Sequence, residues 1–295
     1  MSRVGWRHRF SASPSASSYD PRLGDRPSRR QVTRAAGRHD ACFIPSNDAL
    51  RNVRRLRVFG HRGARGYAPE NTTESFSMAV EMGVDGVELD VHLSKDGELV
   101  VIHDDTVDRT TDGHGAVRDF TVEQLKKLDA GVKFGHKWKG ARIPTLGEVF
   151  DELGRANYRI ELKHSSKAYP GVEEKLVSCV RDLKLVRHVE ITSFDYDALE
   201  TVRRLDGSFR TGMIMHGKVR WFTPIAKKLG CAWMHASHDL IGEDDVSAAH
   251  AKGFKLGMWT VNDEESAERA IRLGVDGVTS DFPDVAMRAA RLSGR

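Results

Sequence analysis

Residues 86–91 read Gly-Val-Glu-Leu-Asp-Val, and residues 100–105 read Val-Val-Ile-His-Asp-Asp. Each run is apolar enough for a buried β-strand, yet each carries side chains that are costly to bury. The short segment between the runs cannot hold a helical crossover, so the two strands are expected to form an antiparallel hairpin. The Asp-Gly pair at 96–97 is typical of a two-residue hairpin turn. That turn places Asp90 directly opposite His103.

Glu88 and Asp90 are two residues apart, so on a strand both carboxylates point to the same face. With His103 opposite Asp90, two carboxylates and an imidazole share one small surface. Burying unpaired charge costs several kcal/mol, and a bound cation with an anionic ligand is the natural compensation. The pattern therefore predicts a functional site at the end of this strand.

Strand-like apolar runs alternate with amphipathic helical stretches from residue 57 onward. Eight strands are expected, and residues 100–104 add the hairpin partner; the eight lie at 57–60, 86–91, 158–163, 189–194, 210–215, 232–237, 255–261 and 277–280. This alternation favours the α/β class and a closed (β/α)8 TIM barrel with a β-hairpin after strand 2. A doubly wound open sheet is the alternative, although the glycine pattern of a dinucleotide site is missing. Residues 106–143 are too many for a simple loop, so we expect a small insertion over one mouth of the barrel, with a helix at 121–128.

The composition limits the classes of partner. Of the 295 residues 39% are hydrophobic, and no run approaches the roughly 20 apolar residues of a membrane helix, so we expect a soluble protein without stable membrane insertion. Three scattered cysteines fit a reducing compartment such as the cytoplasm. No basic face interleaved with aromatic residues is visible, which argues against nucleic acid as a partner. Nothing in the sequence indicates the oligomeric state.

Residues 1–55 differ from the rest of the chain. Residues 1–57 contain 13 Arg and four Asp and no Lys or Glu, a net charge of +9, and the total of +4 leaves −5 for the remainder. A segment so rich in Arg and Ser, without an apolar period, is expected to be a disordered tail in front of a catalytic barrel spanning residues 56–295. A mitochondrial-type presequence and weak binding to an acidic partner are the alternatives.

Charged side chains are concentrated at the ends of the predicted strands. In a parallel barrel the carboxyl ends of the strands meet at one rim, where the chemistry of such folds takes place. Four separate segments deliver charged groups to this rim, and the groups are His61, Arg62, Glu88, Asp90, His103, Glu161 and Lys163. The sequence therefore predicts an active site there.

The residue types at this rim suit phosphoryl transfer. Three carboxylates, those of Glu88, Asp90 and Glu161, offer hard oxygen ligands and favour one divalent cation, Mg²⁺ or Ca²⁺. Arg62 and Lys163 are expected partners of a phosphate. Two imidazoles suit paired proton transfers near neutral pH, one activating the nucleophile and one protonating a poor alcohol leaving group.

The chain resembles the glycerophosphodiester phosphodiesterase family. The matching motifs run in family order and read His-Arg-Gly-Ala-Arg-Gly-Tyr-Ala-Pro-Glu-Asn-Thr (61–72), Glu-Leu-Asp-Val-His-Leu-Ser-Lys-Asp-Gly (88–97), Val-Ile-His-Asp-Asp-Thr-Val-Asp-Arg-Thr-Thr (101–111), Ile-Pro-Thr-Leu (143–146), Ile-Glu-Leu-Lys (160–163), Ser-Phe-Asp (193–195), Trp-Thr-Val-Asn (259–262) and Gly-Val-Thr-Ser-Asp (277–281). The resemblance implies a phosphatidylinositol-phospholipase-like barrel. It also implies metal-dependent hydrolysis of a small-molecule glycerophosphodiester to glycerol 3-phosphate and an alcohol.

The resemblance also implies roles for individual residues. It makes His61 and His103 the acid/base pair, Glu88, Asp90 and Glu161 the metal ligands, and Arg62 and Lys163 the phosphate contacts. Glu70 and Asn71 match family residues near the site and are expected to support it or contact the substrate directly, although Asn71 also occupies a helix N-cap position. Trp259 and Phe194 are expected either to line the glycerol or headgroup pocket or to pack in the core.

Two rival functions are compatible with parts of the sequence. A lysophospholipase D-type enzyme would use the same residues but bind a lipid, and an apolar groove for it is expected from Phe120, Val132, Phe134 and Trp138. A non-catalytic phosphodiester-binding protein would have lost one of the acid/base or metal residues, and this sequence keeps all of them. Two routes remain open. Water attacks the phosphorus directly, or the glycerol hydroxyl next to the ester attacks first and forms a cyclic phosphate.

Overall fold

Eight parallel strands close into a barrel in the part of the chain that the structure describes, residues 55–164 and 167–293 of this computed structural model. A ninth strand, β3, pairs antiparallel with β2. In chain order the strands are β1 (Arg57–Gly60), β2 (Gly86–Leu93), β3 (Leu99–Val101), β4 (Tyr158–Leu162), β5 (Val189–Ser193), β6 (Arg210–Met215), β7 (Trp233–Ser237), β8 (Lys255–Trp259) and β9 (Gly277–Ser280).

Helices connect the barrel strands in the pattern that the sequence predicts. They are α1 (Thr73–Glu81), α2 (Val122–Leu125), α3 (Leu146–Leu153), α4 (Val172–Asp182), α5 (Tyr196–Leu205), α6 (Val219–Lys228), α7 (Glu243–Ala251), α8 (Glu264–Leu273) and α9 (Pro283–Ser293). Several begin at a side-chain cap that satisfies free backbone N–H groups. At α8, for example, Asp263 accepts from the backbone N–H of Ser266, and the helix ends at Gly274 in the left-handed conformation.

The sheet closes because β1 pairs in parallel with a strand on each side. Phe59 is in register with Gly86 of β2, and Val58 is in register with Val278 of β9. From β9 the ladder continues through β8, β7, β6, β5 and β4 to β2. The predicted (β/α)8 barrel is therefore confirmed. The open doubly wound sheet is wrong, since such a sheet would leave two edges unpaired.

The hairpin after strand 2 forms, but its predicted register is wrong by one residue. Leu93 pairs with Leu99, and the backbone N–H of Ser94 donates to the carbonyl of Glu98. Residues 95–97 therefore form a three-residue loop that ends in Gly97 at φ +78°, a geometry in which glycine occupies the left-handed position. The residue opposite Asp90 is then Ile102, whose N–H donates to the carbonyl of Asp90.

Strand alternation separates an apolar outer surface from a polar interior, and β4 shows it directly. Tyr158, Ile160 and Leu162 belong to the apolar core between sheet and helices. The alternate residues Arg159 and Glu161 line the cavity inside the barrel. The apolar contacts that stabilise the fold therefore lie outside the ring of strands, which leaves the inside available for charged groups.

The barrel interior contains a buried charged network where such barrels are usually filled by branched aliphatic side chains. Arg159 of β4, Glu190 of β5 and His235 of β7 are all buried. Two glycines provide the space: a Cβ on Gly257 would lie 2.3 Å from Nδ1 of His235, and a Cβ on Gly212 would lie 2.6 Å from Oε1 of Glu190. Both approaches are too short for any other residue type.

Residues 106–143 form the predicted small insertion, which packs on its own apolar cluster beside β3. The cluster consists of Val100, Ile102, Val107, Val117, Leu125, Ala130 and Ile143. The only α-helix in this segment is α2, which is shorter than the helix expected at 121–128. The carboxylate of Asp129 accepts from the backbone N–H groups of residues 131, 132 and 140 and so holds the loop after α2.

The predicted tail lies outside the described residues except for residue 55, so its disorder stays a prediction. Within 55–164 and 167–293, no helix is both long and apolar enough to cross a bilayer.

We predict that Gly257→Ala destabilises the protein by about 3 kcal/mol, because the added Cβ collides with His235, whose ring is fixed by Glu190 and Trp233. The matched control is Gly147→Ala in α3, where a Cβ would meet only Oγ1 of Thr145 at 3.9 Å. That variant should gain about 0.5–1 kcal/mol from helix propensity. Urea unfolding of both variants checks the prediction, and equal midpoints would contradict it.

Candidate active site

Three buried carboxylates lie side by side at the carboxyl ends of β2 and β4. Asp90 and Glu161 are in register on the adjacent strands, and Glu88 precedes Asp90 by two residues on the same face. One oxygen atom from each of the three lies within 4.8 Å of the others. Neighbouring strands bring together residues that are far apart in the chain, as the sequence predicts.

Burial and mutual repulsion disturb the ionisation of this cluster. Burial, with the charges of Asp90 and Glu161, raises the pKa of Glu88 well above its usual value. Burial, and then the charge of Asp90, raises the pKa of Glu161 to about 7. Burial acts in the same direction on Asp90, but the charges of Arg62 and Lys163 outweigh it and hold the pKa of Asp90 below its usual value. Three negative charges are thus not stable here without more positive charge.

The donor set fits a divalent cation. All three side chains offer carboxylate oxygens, which hard cations such as Mg²⁺ and Ca²⁺ prefer. Oδ1 of Asp90 is buried and has no hydrogen-bond partner among the described residues. Nζ of Lys163 lies 3.5 Å from this oxygen but donates to Glu161, so a further cation would stabilise the buried charge. Glu88, Asp90 and Glu161 are therefore the residues that could hold a metal.

Arg62 and Lys163 contact this cluster from two sides. The backbone N–H of Arg62 donates to Oε2 of Glu88 at 3.0 Å, and Nε of Arg62 lies 3.3 Å from Oδ2 of Asp90. Nζ of Lys163 donates to Oε1 of Glu161 at 2.7 Å and lies 3.5 Å from Oδ1 of Asp90. Both cations also line the cavity above the carboxylates, so they can contact an anionic ligand placed there.

Both predicted histidines line the same cavity, and each has a carboxylate at Nδ1. Nδ1 of His61 lies 2.5 Å from Oδ1 of Asp281, and Nδ1 of His103 lies 2.6 Å from Oδ1 of Asp104. Such a contact fixes the ring orientation and leaves Nε2 for the cavity. Burial is the largest influence and lowers the pKa of both imidazoles, and their carboxylate partners oppose that effect. Since β3 ends at Val101, a bend in the chain brings His103 to the site in spite of the changed register.

Arg109 links two parts of the site and was not predicted from the sequence. Its guanidinium donates to both carboxylate oxygens of Glu70, at 2.7 and 2.9 Å, and to both of Asp104, at 2.6 and 3.0 Å. Glu70 in turn accepts from Nη1 of Arg62 at 2.8 Å. Arg109 therefore couples the position of Arg62 to that of the His103 partner, and Glu70 acts through these cations.

Asn71 is bonded to Asp90, and the N-cap of α1 is Thr72. Nδ2 of Asn71 donates to Oδ2 of Asp90 at 2.8 Å. The alternative interpretation of Asn71 as the helix cap is wrong by one residue, because Asn71 adopts a left-handed φ of +59° that turns its amide toward the carboxylates.

Asp104, Arg109 and Asp281 are among the polar residues that sequence reasoning missed, and they hold the two histidines and Glu70. All three lie inside the motifs quoted above, and Asp104 directly follows His103 in the chain. An acidic residue next to a predicted catalytic histidine was the available signal. Asp281 follows the last strand, and the closure of the barrel places that strand next to β1 and therefore next to His61.

Phe194 and Trp259 both line the cavity, as one of the two interpretations of these residues predicts. Phe194 is 40% exposed. Its ring meets Trp259 edge to face with centroids 6.0 Å apart and stacks on His216 at 5.1 Å. The indole Nε1 of Trp259 has no hydrogen-bond partner within the described chain. Together these rings form a partly apolar part of the cavity wall, which extends from the end of β5, next to β4, to the end of β8.

The cavity of about 240 Å³ extends from these rings into the barrel. Arg159, Thr192, Ile214, His235 and Thr279 also line it. Cations and imidazoles surround a group of carboxylates in its upper part, and this arrangement suits the hydrolysis of a phosphodiester.

Comparison with known proteins assigns the family. The model of the glycerophosphoryl diester phosphodiesterase family matches residues 61–285. A glycerophosphodiester phosphodiesterase of Caldanaerobacter subterraneus subsp. tengcongensis is 42% identical over 239 residues, which cover 80% of this chain and 98% of that protein. The chain belongs to the glycerophosphodiester phosphodiesterase family.

Solved structures of this family share the fold. A phosphodiesterase of Oleispira antarctica, solved in complex with the product sn-glycerol-3-phosphate, is 32% identical with a TM-score of 0.73, covering 80% of this chain and 96% of that one. The glycerophosphodiester phosphodiesterase of Thermotoga maritima is 31% identical with a TM-score of 0.64, covering 79% and 97%. The matched span of this chain contains both histidines and all three buried carboxylates, and the protein is an enzyme of this family, a phosphoric diester hydrolase.

We predict that His235 makes the protein less stable in acid. Burial lowers the pKa of His235 to about 4 from an ordinary 6.5, and Arg159 adds to this effect. Between these two pH values the unfolded chain binds a proton that the folded protein does not bind. Stability therefore falls as the pH drops from 6.5 toward 4, by up to about 3 kcal/mol. Glutamine at this position can still donate to Glu190 but does not titrate. The His235→Gln variant should therefore lose less of its free energy of unfolding over the same pH range.

Urea unfolding at pH 7, 5.5 and 4.5 measures this difference. His114→Gln is the matched control, because His114 is an exposed histidine of the insertion. The same fall in stability for wild type and His235→Gln would contradict the assignment.

Proposed function

We propose that the protein hydrolyses small glycerophosphodiesters to glycerol 3-phosphate and an alcohol, with one divalent cation and two histidines. The barrel of residues 56–295 is the proposed catalytic unit. The observation that carries the proposal is the shared cavity, which is lined by two cations, two carboxylate-bound imidazoles and two of the three clustered carboxylates; the third, Asp90, has an oxygen within 4.8 Å of those two. The relative from Oleispira antarctica, whose structure contains the product sn-glycerol-3-phosphate, supports this substrate class.

The cations of the protein hold the phosphate in this proposal. Arg62 and Lys163 bind the non-bridging oxygens, Arg62 through its planar fork and Lys163 as a point charge. Glu88, Asp90 and Glu161 would hold Mg²⁺ or Ca²⁺, which supplies Lewis-acid stabilisation of the charge that develops on the phosphoryl oxygens. Glu70 and Arg109 keep Arg62 oriented through the contacts described above.

His61 and His103 exchange protons with the reacting oxygens through Nε2. One of them takes the proton from the nucleophile, and the other gives a proton to the leaving alcohol oxygen. Asp281 and Asp104 hold the opposite ring nitrogens, so each ring presents the same atom to the phosphate throughout. Burial lowers the pKa of each ring, and the carboxylate at Nδ1 opposes that effect by stabilising the protonated ring that the acid step needs.

The open mouth with Phe194 and Trp259 is proposed to receive the variable headgroup. A lysophospholipase D-type activity is the second candidate, because Val132 and Phe134 of the insertion are 40% and 44% exposed and could contact an acyl chain. Rates on glycerophosphocholine and lysophosphatidylcholine separate the two. Faster hydrolysis of the lipid would replace the proposed substrate class.

We predict that release of glycerol 3-phosphate from glycerophosphocholine requires a divalent cation. EDTA should abolish the release, and adding Mg²⁺ or Ca²⁺ should restore it, because the carboxylate cluster needs positive charge. Glu88→Gln should raise the metal concentration that gives half-maximal rate by at least tenfold. Glu174→Gln, an exposed change on α4, is the matched control. Full activity in EDTA after prolonged dialysis would refute the metal requirement.

We predict that His61→Ala and His103→Ala each lower kcat by about 10²–10⁴-fold while the thermal unfolding midpoint stays close to that of wild type. His114→Ala serves as the control on the exposed insertion. A test for cyclic glycerophosphate among the products of the slowed variants separates attack by the neighbouring glycerol hydroxyl from direct attack by water. Near-normal turnover in either variant would remove that histidine from the mechanism.

A further inference from the structure

The floor of the cavity is a charged network that the proposed chemistry does not use. Nε2 of His235 lies 2.6 Å from Oε1 of Glu190, and Nε of Arg159 lies 3.4 Å from the same oxygen. Nη1 of Arg159 donates to Oγ1 of Thr279 at 2.9 Å. The guanidinium lies 4.0 Å from the ring centre of Phe59. Arg159 is thus held from several directions at the bottom of the cavity, and its position is built into the barrel.

Two nitrogen atoms of this guanidinium, Nε and Nη2, have no hydrogen-bond partner within the described chain, and of the two only Nε lies near a carboxylate, that of Glu190. Nη2 of Arg159 is buried and has no hydrogen-bond partner within the described chain, although Arg159 is only 3% exposed and lines the cavity. Burying a charged donor without an acceptor is unfavourable. An uncharged oxygen such as a hydroxyl would satisfy the donor without the cost of burying a second negative charge.

The depth of Arg159 matches a short polyol below the phosphate. Arg159 precedes Glu161 by two residues on β4 and is in register with Glu88 on β2. It therefore lies about 6–7 Å along the strand below Glu161 and in register with Glu88, at the lower end of the carboxylate cluster. A three-carbon chain attached to a phosphate at the level of Lys163 and Glu161 can reach this depth. The cavity is closed by the charged network below and open at Phe194 above, so a moiety of constant size fits the lower end.

We propose that Arg159, positioned by Glu190 and Thr279, binds the hydroxyl of the glycerol moiety that is most distant from the phosphate and so selects glycerol among phosphodiester alcohols. This inference rests on the proposed function, because it assumes that the phosphate binds between Arg62 and Lys163. It adds a subsite for a neutral hydroxyl, separate from the metal and phosphate contacts. The headgroup then leaves the cavity toward Phe194.

Two substrates test the subsite on the unmodified enzyme. One is glycerophosphocholine, and the other is the phosphocholine diester of propane-1,2-diol with the phosphate on carbon 1. The second lacks only the distal hydroxyl and keeps the hydroxyl next to the ester, so both routes of attack remain available to it. We expect kcat/KM to be roughly 10- to 100-fold lower for the propanediol substrate, since the donor of Arg159 then stays unpaired. Equal values would overturn the inference.

Arg159→Lys tests the residue. Lysine keeps the charge beside Glu190 but lacks Nη2. The ratio of kcat/KM for glycerophosphocholine to kcat/KM for the propanediol substrate should therefore shrink to a few-fold, while kcat/KM for the propanediol substrate stays close to wild type. Arg57→Lys is the matched control, because the Arg57 guanidinium stacks on the same Phe59 ring, at 5.1 Å, without lining the cavity. An equal loss on both substrates would show a merely structural role and overturn the inference.

The outcomes also separate this inference from the proposed function. If the wild-type enzyme with metal releases no glycerol 3-phosphate from glycerophosphocholine, the proposed function fails and the subsite fails with it. If release occurs but the two substrates do not differ, only the subsite fails. The wild-type comparison requires no variant, so poor folding of Arg159→Lys leaves the test intact.

Discussion

Mutual repulsion among Glu88, Asp90 and Glu161 is the constraint on which the rest of the site depends. Three carboxylates with oxygens within 4.8 Å of one another, all buried, cannot all be ionised without compensating charge. Arg62 and Lys163 supply part of it, and the raised pKa of Glu161, about 7, indicates that the two cations are not sufficient. The missing positive charge is what suits the cluster to holding a cation.

Such a site can exist only if the fold is stable without an apolar barrel interior. The alternation of β4 shows how this is achieved: Ile160 and Leu162 pack against the helices, while Arg159 and Glu161 face the inside. Because the apolar contacts lie between the sheet and its helices, the interior can carry charge from the floor to the mouth. The charged floor remains compatible with folding since its groups pair with one another and with Thr279.

The fold and the main site residues could be predicted because both depend on local pattern. Alternation of residues specifies which side chains face inward, and the parallel barrel collects strand ends at one rim. The register of the hairpin could not be predicted, because Asp-Gly fits both a two-residue turn and the end of a three-residue loop, and Gly97 adopts the second. The pairing of Asp281 with His61 was missed because it depends on closure between the first and last strands, a contact that local spacing does not encode.

The turn after β1 shows how the backbone serves this electrostatic arrangement. On a regular strand His61 and Arg62 would point to opposite faces. Arg62 instead adopts a left-handed φ of +51°, a conformation that costs a non-glycine residue roughly 1–2 kcal/mol. In this conformation the N–H of Arg62 donates to Glu88 and its side chain pairs with Asp90, while His61 contacts Asp281. The carboxylates stabilise the strained turn, and the turn supplies part of the positive charge that they need.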